Sequence, residues 1–226
     1  MLRLSTLVLS TLLSTAAFAQ DGEAPMEPEA ATPPTTTYAV SASGSDLYVV
    51  IRNDTSASLS RLGHDHVIYA SKFSGTVVWP NEDGQSCNIE IRVPVMSLTV
   101  DPPGTRDAAG LDDNTIDDGD KQSLSKNMWG KSQLDAKNHS DIVFKSTSCE
   151  GREGNVKVNG TLTVRGTAAP VTVTMNVTAD GSSLSARGKF NTTHSALGMK
   201  PFSASFVGPR NAEKLSFSIR LRGKAS

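Results

Sequence analysis

Beyond its first nineteen residues the chain has no apolar run approaching the ~20 residues a membrane-spanning helix requires. No helical anchor is therefore expected there, and any membrane contact would be transient. Aromatic residues are scarce: seven Phe, three Tyr and two Trp among 226 residues cannot fill a large interior with rings. Charge of one sign is missing too. Without Arg3 the chain has 21 basic and 23 acidic residues; without Asp21, Glu23, Glu27 and Glu29 as well, the part from Tyr38 onward carries 21 − 19 = +2. That near-balance argues against nucleic acid as a partner. G-x-S-x-G, H-E-x-x-H, a phosphate-cradling glycine loop and Cys-x-x-Cys are all absent, so the chain reads as non-catalytic.

The two ends of the chain differ in kind. Arg3, the apolar run Leu4–Leu13 and the small-x-small triplet Ala17-Phe18-Ala19 form an export signal over residues 1–19. The expected destination is a bacterial periplasm. Residues 20–37 are acidic, Pro-rich and free of aromatics until Tyr38, a composition that cannot bury enough apolar surface to order itself, and are expected to be a linker. Residues 38–226 are enough for one domain with a full core. In an oxidising compartment the lone pair Cys87 and Cys149 is expected to form a disulfide, since one opens a strand and the other closes a strand.

What the chain does have is alternation. Val156, Val158, Gly160, Leu162 and Val164 alternate with Lys157, Asn159, Thr161 and Thr163; Val171, Val173, Met175, Val177 and Ala179 alternate with Thr172, Thr174, Asn176 and Thr178. A two-residue period puts one face of a strand in oil and the other in water. Eight strands follow from it: Asp46–Arg52, Val67–Trp79, Cys87–Val95, Asp141–Cys149, Asn155–Arg165, Pro170–Ala179, Ser183–Asn191 and Lys214–Arg222. The turn signals Asn81–Gly84, Glu150–Gly154, Gly166–Pro170 and Asp180-Gly181 make neighbours antiparallel. A sheet with one apolar face must cover it or close on itself.

Residues 96–140 interrupt the meander between the third and fourth strands. The excursion is acidic at Asp112, Asp113, Asp117, Asp118 and Asp120, then helical around Lys121–Met128, with Met128, Trp129 and Leu134 suited to plug one end. It is no calcium loop: counting from Asp112 puts Ile116 at the fifth position, and from Asp113 puts Asp118 where glycine is needed. His64 and His66 share a face of an extended segment. With His139 or His194 they would make an imidazole set suited to zinc or copper; the alternative is a polar rim that meets a head group.

The chain resembles the bacterial YceI family of exported, lipocalin-like, polyisoprenoid-binding proteins. The resemblance rests on Leu62-Gly63 and Phe73-Ser74-Gly75-Thr76-Val77-Val78, on Ser97–Asp101, on Asn138–Thr147, and on Val158–Thr167 followed by Pro170–Val173. It covers Tyr38 to Gly223, and departs from the family pattern at His64-Asp65-His66, at His139-Ser140 and in the excursion's extra acids. It implies an all-β, eight-stranded antiparallel barrel with a short helical excursion. Its lumen would hold a long-chain amphiphile such as a polyisoprenoid or isoprenoid quinone. The residues expected to cover the tail are Val49, Ile51, Phe73, Val77, Ile91, Phe144, Leu162, Val173, Met175, Phe190, Phe217 and Ile219. His64, His66, His139 and His194 are the head-group or metal candidates.

Overall fold

In a computed structural model, which describes residues 34–80, 87–111, 116–152, 154–205 and 208–226, eleven strands form one continuous antiparallel sheet. They are β1 (Thr35–Ser41), β2 (Asp46–Asn53), β3 (His66–Ala70), β4 (Ser74–Pro80), β5 (Asn88–Pro94), β6 (Leu98–Val100), β7 (Asp141–Arg152), β8 (Asn155–Val164), β9 (Thr167–Ala179), β10 (Ser183–Thr193) and β11 (Asn211–Ala225). The ring runs β1-β4-β5-β7-β8-β9-β10-β11 and closes by β11 pairing with β1, which makes an eight-stranded barrel.

Three members of the ring are bent strands that each continue as a second segment. β1 and β2 both run antiparallel along β11, with Tyr38 opposite Ala225 and Ile51 opposite Leu215. β3 and β4 bend at Ser71–Phe73, and β5 and β6 bend at Val95–Ser97. Those last two bends are tied together: the Ser71 amide donates to the Ser97 carbonyl at 3.1 Å, and the Ser97 hydroxyl donates to the Lys72 carbonyl at 2.9 Å. The first bend is fixed by Ser45, buried beside β11, whose hydroxyl accepts the Arg222 amide at 2.9 Å.

Two short helices lie between β6 and β7. α1 (Thr105–Ala109) packs over the outer face of β2 and β3, where Val50, Val67 and Leu111 form a small second core. That cover explains why Val67 and Ile68 are both buried although they point to opposite faces. α2 (Asp118–Trp129) begins where the Asp117 carboxylate accepts the Asp120 amide at 2.9 Å, an N-cap bond that satisfies one of the orphan donors of the first turn. Asp117, Asp118 and Asp120 thus supply the cap and the first turn of the helix, where negative charge meets the positive end of its dipole.

Several boundaries differ from expectation. β1 begins at Thr35, inside the stretch read as linker, because Thr35–Ser41 pairs with Ser74–Pro80 along its whole length. The single strand expected over Val67–Trp79 is two, broken where the barrel bends. Residues 1–33, residues 81–86 with the turn expected at Asn81–Gly84, and Asp112 and Asp113 lie outside the described residues. Cys87 and Cys149 are bridged, with Cα atoms 5.8 Å apart, extending the β5–β7 contact beyond its last ladder pair.

Candidate functional site

The inward rows enclose a cavity of ≈ 240 Å³. Alternation aims the side chains: Leu47, Val49 and Ile51 of β2 and His66, Ile68 and Ala70 of β3 line it, while Val50 and Val67 between them face α1. Of the residues expected to cover a tail, Val49, Ile51, Ile91, Phe144, Leu162, Val173, Met175, Phe190, Phe217 and Ile219 line the cavity. Phe73 and Val77 do not. They are buried in the main core, and Val77 is the register partner of the fully buried Tyr38, so the end of the barrel near Tyr38 is packed by its own side chains.

Large cavity residues find space against strand glycines. The ring of Phe144 lies over Gly160, Met175 sits against Gly188 and Ile91 against Gly75; a Cβ at any of these glycines would overlap its neighbour. These glycines therefore do not widen the lumen, because the side chains beside them cover the gaps. Phe190 and Phe217, register partners on β10 and β11, stack with ring centroids 4.6 Å apart and form part of the wall.

Polar residues line the cavity at His66, Asn127, Gln133, His194 and Asn211, whereas Tyr48 turns its side chain outward to the Val50 and Val67 cluster. The five belong to one rim. His66 opens β3 and pairs with Ile51, Ile51 pairs with Leu215, and Leu215 pairs with Thr192, two residues before His194. Asn211 opens β11 and pairs with Asn53 at the end of β2. Gln133, just past α2, donates to the Lys200 carbonyl at 3.3 Å, which brings the excursion to the same rim. Leu124, Met128 and Leu134 add the apolar side of this cover, while Trp129 packs on the core without lining the cavity.

The four histidines separate. His66 faces the cavity, its Nδ1 2.7 Å from Asp101 Oδ2. Asp101 is fully buried and takes the Val67 amide on Oδ1 at 2.7 Å, with an Arg106 guanidinium nitrogen 3.5 Å from the same oxygen. Burial opposes its ionisation, but hydrogen bonds from His66 and the Val67 amide, with the Arg106 guanidinium nearby, hold its carboxyl below the ordinary range. His194 is buried at the rim, its Nδ1 3.1 Å from the Glu213 carbonyl; burial lowers its pKa against the opposing pull of the Glu213 and Ala212 carbonyls and the Glu213 charge. His64 is exposed, with its ring 6.4 Å from that of His66. His139 packs against Gly166 and does not line the cavity.

The three-imidazole arrangement is thus not assembled, and among the described residues no group of three or more His, Cys, Asp or Glu is placed to hold a metal ion. Asp65, between the two histidines, is turned to Arg52 at 2.5 Å and to the Asn53 amide at 2.8 Å. Sequence reasoning missed Asp101 and Arg106, because nothing in the chain links them to a histidine 35 and 40 positions away until β6 lies beside β3. It also missed Leu197, Met199 and Phe202, apolar residues in the β10–β11 connection that line the cavity; their hydrophobicity in a connecting segment was the available signal.

A closed antiparallel barrel with an apolar cavity and a polar rim is a lipocalin-like binding architecture. A model of the YceI-like domain matches residues 38–221, and the chain belongs to that family. The crystal structure of Burkholderia cenocepacia BcnA superposes with a TM-score of 0.58 at 18% identity, covering 81% of this chain and 98% of that one. The Campylobacter jejuni YCEI protein superposes with a TM-score of 0.45 at 11% identity, covering 68% of this chain and 81% of that one. No curated protein matches the chain significantly.

Proposed function

We propose that the protein is a non-catalytic carrier or store for a long-chain amphiphile of polyisoprenoid or isoprenoid quinone type, working in the periplasm after removal of residues 1–19. The carrying observation is the cavity itself: aliphatic and aromatic walls, with polar groups gathered at one rim. Its ≈ 240 Å³ lies just below the ~300 Å³ at which small-molecule sites begin, so it accepts part of a chain as it stands. Met128, Met175 and Met199 line it, and unbranched thioether side chains repack readily around a longer tail.

Energetics favour exchange over extraction. A five-carbon prenyl unit moved from water into the lumen gains roughly 3–4 kcal/mol gross at about 0.8 kcal/mol per methylene. A membrane already offers the tail the same shelter, so the net gain comes from the head group at the rim. The test is native mass spectrometry of protein purified from its own host, followed by organic extraction. A co-purifying isoprenoid lipid, displaced in Leu162→Trp, is expected; protein free of lipid that also refuses an apolar fluorescent dye would remove the reading.

A further inference from the structure

The rim specifies more than polarity, and the selection it makes presupposes that the barrel binds a lipid. A carboxylate and a backbone carbonyl can only accept hydrogen bonds. In the uncharged form of either ring the tautomer is therefore set: Asp101 holds the proton of His66 on Nδ1, and the Glu213 carbonyl does the same at His194. The nitrogen that His66 keeps for the cavity is then a bare Nε2, an acceptor. The means of holding it are substantial: Asp101 is buried without exposed side-chain surface, and its φ of +45° lies in the left-handed region that residues other than glycine seldom occupy. Asp101 also exchanges two backbone-linked bonds with Val67, accepting its amide at 2.7 Å and donating its own amide to the Val67 carbonyl at 2.9 Å, so the carboxylate is locked to the strand that carries His66.

We propose that this rim selects a head group that donates a hydrogen bond, a hydroxyl such as that of a long-chain prenol or a reduced quinol, which is received by Nε2 of His66 with Asp101 as its positioning residue. A head group that offers only acceptors, such as an ether, a quinone carbonyl or a fully ionised phosphate, meets a lone pair there and leaves Nε2 unsatisfied. An acceptor built into an apolar wall rejects a ligand without the donor because the polar atom stays desolvated and unpaired.

Geranylgeraniol and its methyl ether share one chain and differ in the donor, so displacement of an apolar dye by each reads the selection directly. Wild-type protein is expected to bind the alcohol about tenfold more tightly than the ether. His66→Phe should bring the two affinities together without weakening the ether. In Asp101→Asn, the Val67 amide keeps the side-chain oxygen as its acceptor and turns the amide nitrogen toward His66. The His66 proton should then move to Nε2, which long-range proton–nitrogen spectra of the imidazole show directly, and the preference should vanish. A role of Asp101 confined to joining β3 to β6 would leave that tautomer unmoved. Equal affinities in the wild type, a wild-type proton on Nε2, or tighter binding of geranylgeranyl phosphate that survives His66→Phe would overturn the inference while the lipid-binding reading stands. Refusal of every chain would end both. Should Asp101→Asn not fold, the wild-type spectrum and His66→Phe decide alone.

Discussion

Phe144 on β7 lies across the backbone of Gly160 on β8, filling the place a side chain would take there. The glycine lets an aromatic ring lie flat along the barrel wall instead of standing into the lumen. Replacing it with Val would force the ring inward. Gly160→Val is expected to lower stability by about 1–3 kcal/mol through overpacking and to weaken binding of an apolar dye. Denaturant unfolding and dye titration on one preparation check both, and undiminished dye binding would contradict the assignment.

Phe217→Ala works in the opposite direction. Removing one ring of the Phe190–Phe217 stack widens the cavity and deletes buried apolar contact. The expected cost is about 3–5 kcal/mol if the wall does not collapse, less if it does. A bulkier apolar ligand should gain affinity relative to a slim one, which competition between two dyes of different width measures.

The Cys87–Cys149 bridge spans 62 positions of sequence. Constraining a loop of that length in the unfolded chain is worth about 4 kcal/mol on the chain-entropy model. The double variant Cys87→Ala/Cys149→Ala should melt roughly 10 °C lower, given ~2–4 °C per kcal/mol for a domain of this size. Reduction of the wild type should reproduce that shift, and a variant with unchanged melting would show that the bridge adds nothing.

Stability should fall on acidification in two stages. His194 has a lowered pKa in the folded state, so unfolding takes up a proton; its contribution is full above ~6.5, the unfolded value, and declines as pH drops below it. Asp101, also lowered, contributes fully above ~3.9 and loses its share as pH falls further through the folded value. His194→Asn preserves a donor for the Glu213 carbonyl and cannot titrate, so it should abolish the first stage and keep the second. Melting temperatures from pH 8 to 3 would show this, and a first stage unchanged in the variant would assign it elsewhere.

Expression of residues 1–226 in a bacterium should yield a soluble periplasmic species whose mass corresponds to a chain beginning at Gln20. Retention of Met1 in the cytoplasmic fraction would refute export.

Alternation alone revealed most of the barrel, since Val156–Val164 and Val171–Ala179 can be satisfied only as strands with one apolar face. It did not reveal the bends. Ser71 and Ser97 break two strands by bonding to each other, and hydroxyls that capture backbone carbonyls 25 positions away carry no local signature. β1 escaped notice because Thr35–Thr37 follow a Pro-rich acidic stretch and pair with residues more than thirty positions further on. The aliphatic lining was legible because it is periodic. The arrangement of the histidines was not: His64 and His66 looked like a pair, whereas tertiary pairing gives His66 to Asp101 and leaves His64 in water.

β11 closes the ring late. Along its fifteen residues it joins β10 on one side and both β2 and β1 on the other, so the domain's last-made strand holds the first-made ones in place. Until that segment has left the ribosome there is no closed barrel, only a curled ribbon with two open edges. For a chain exported as proposed, a seam that waits for the end of the domain keeps the barrel open until its last strand is made.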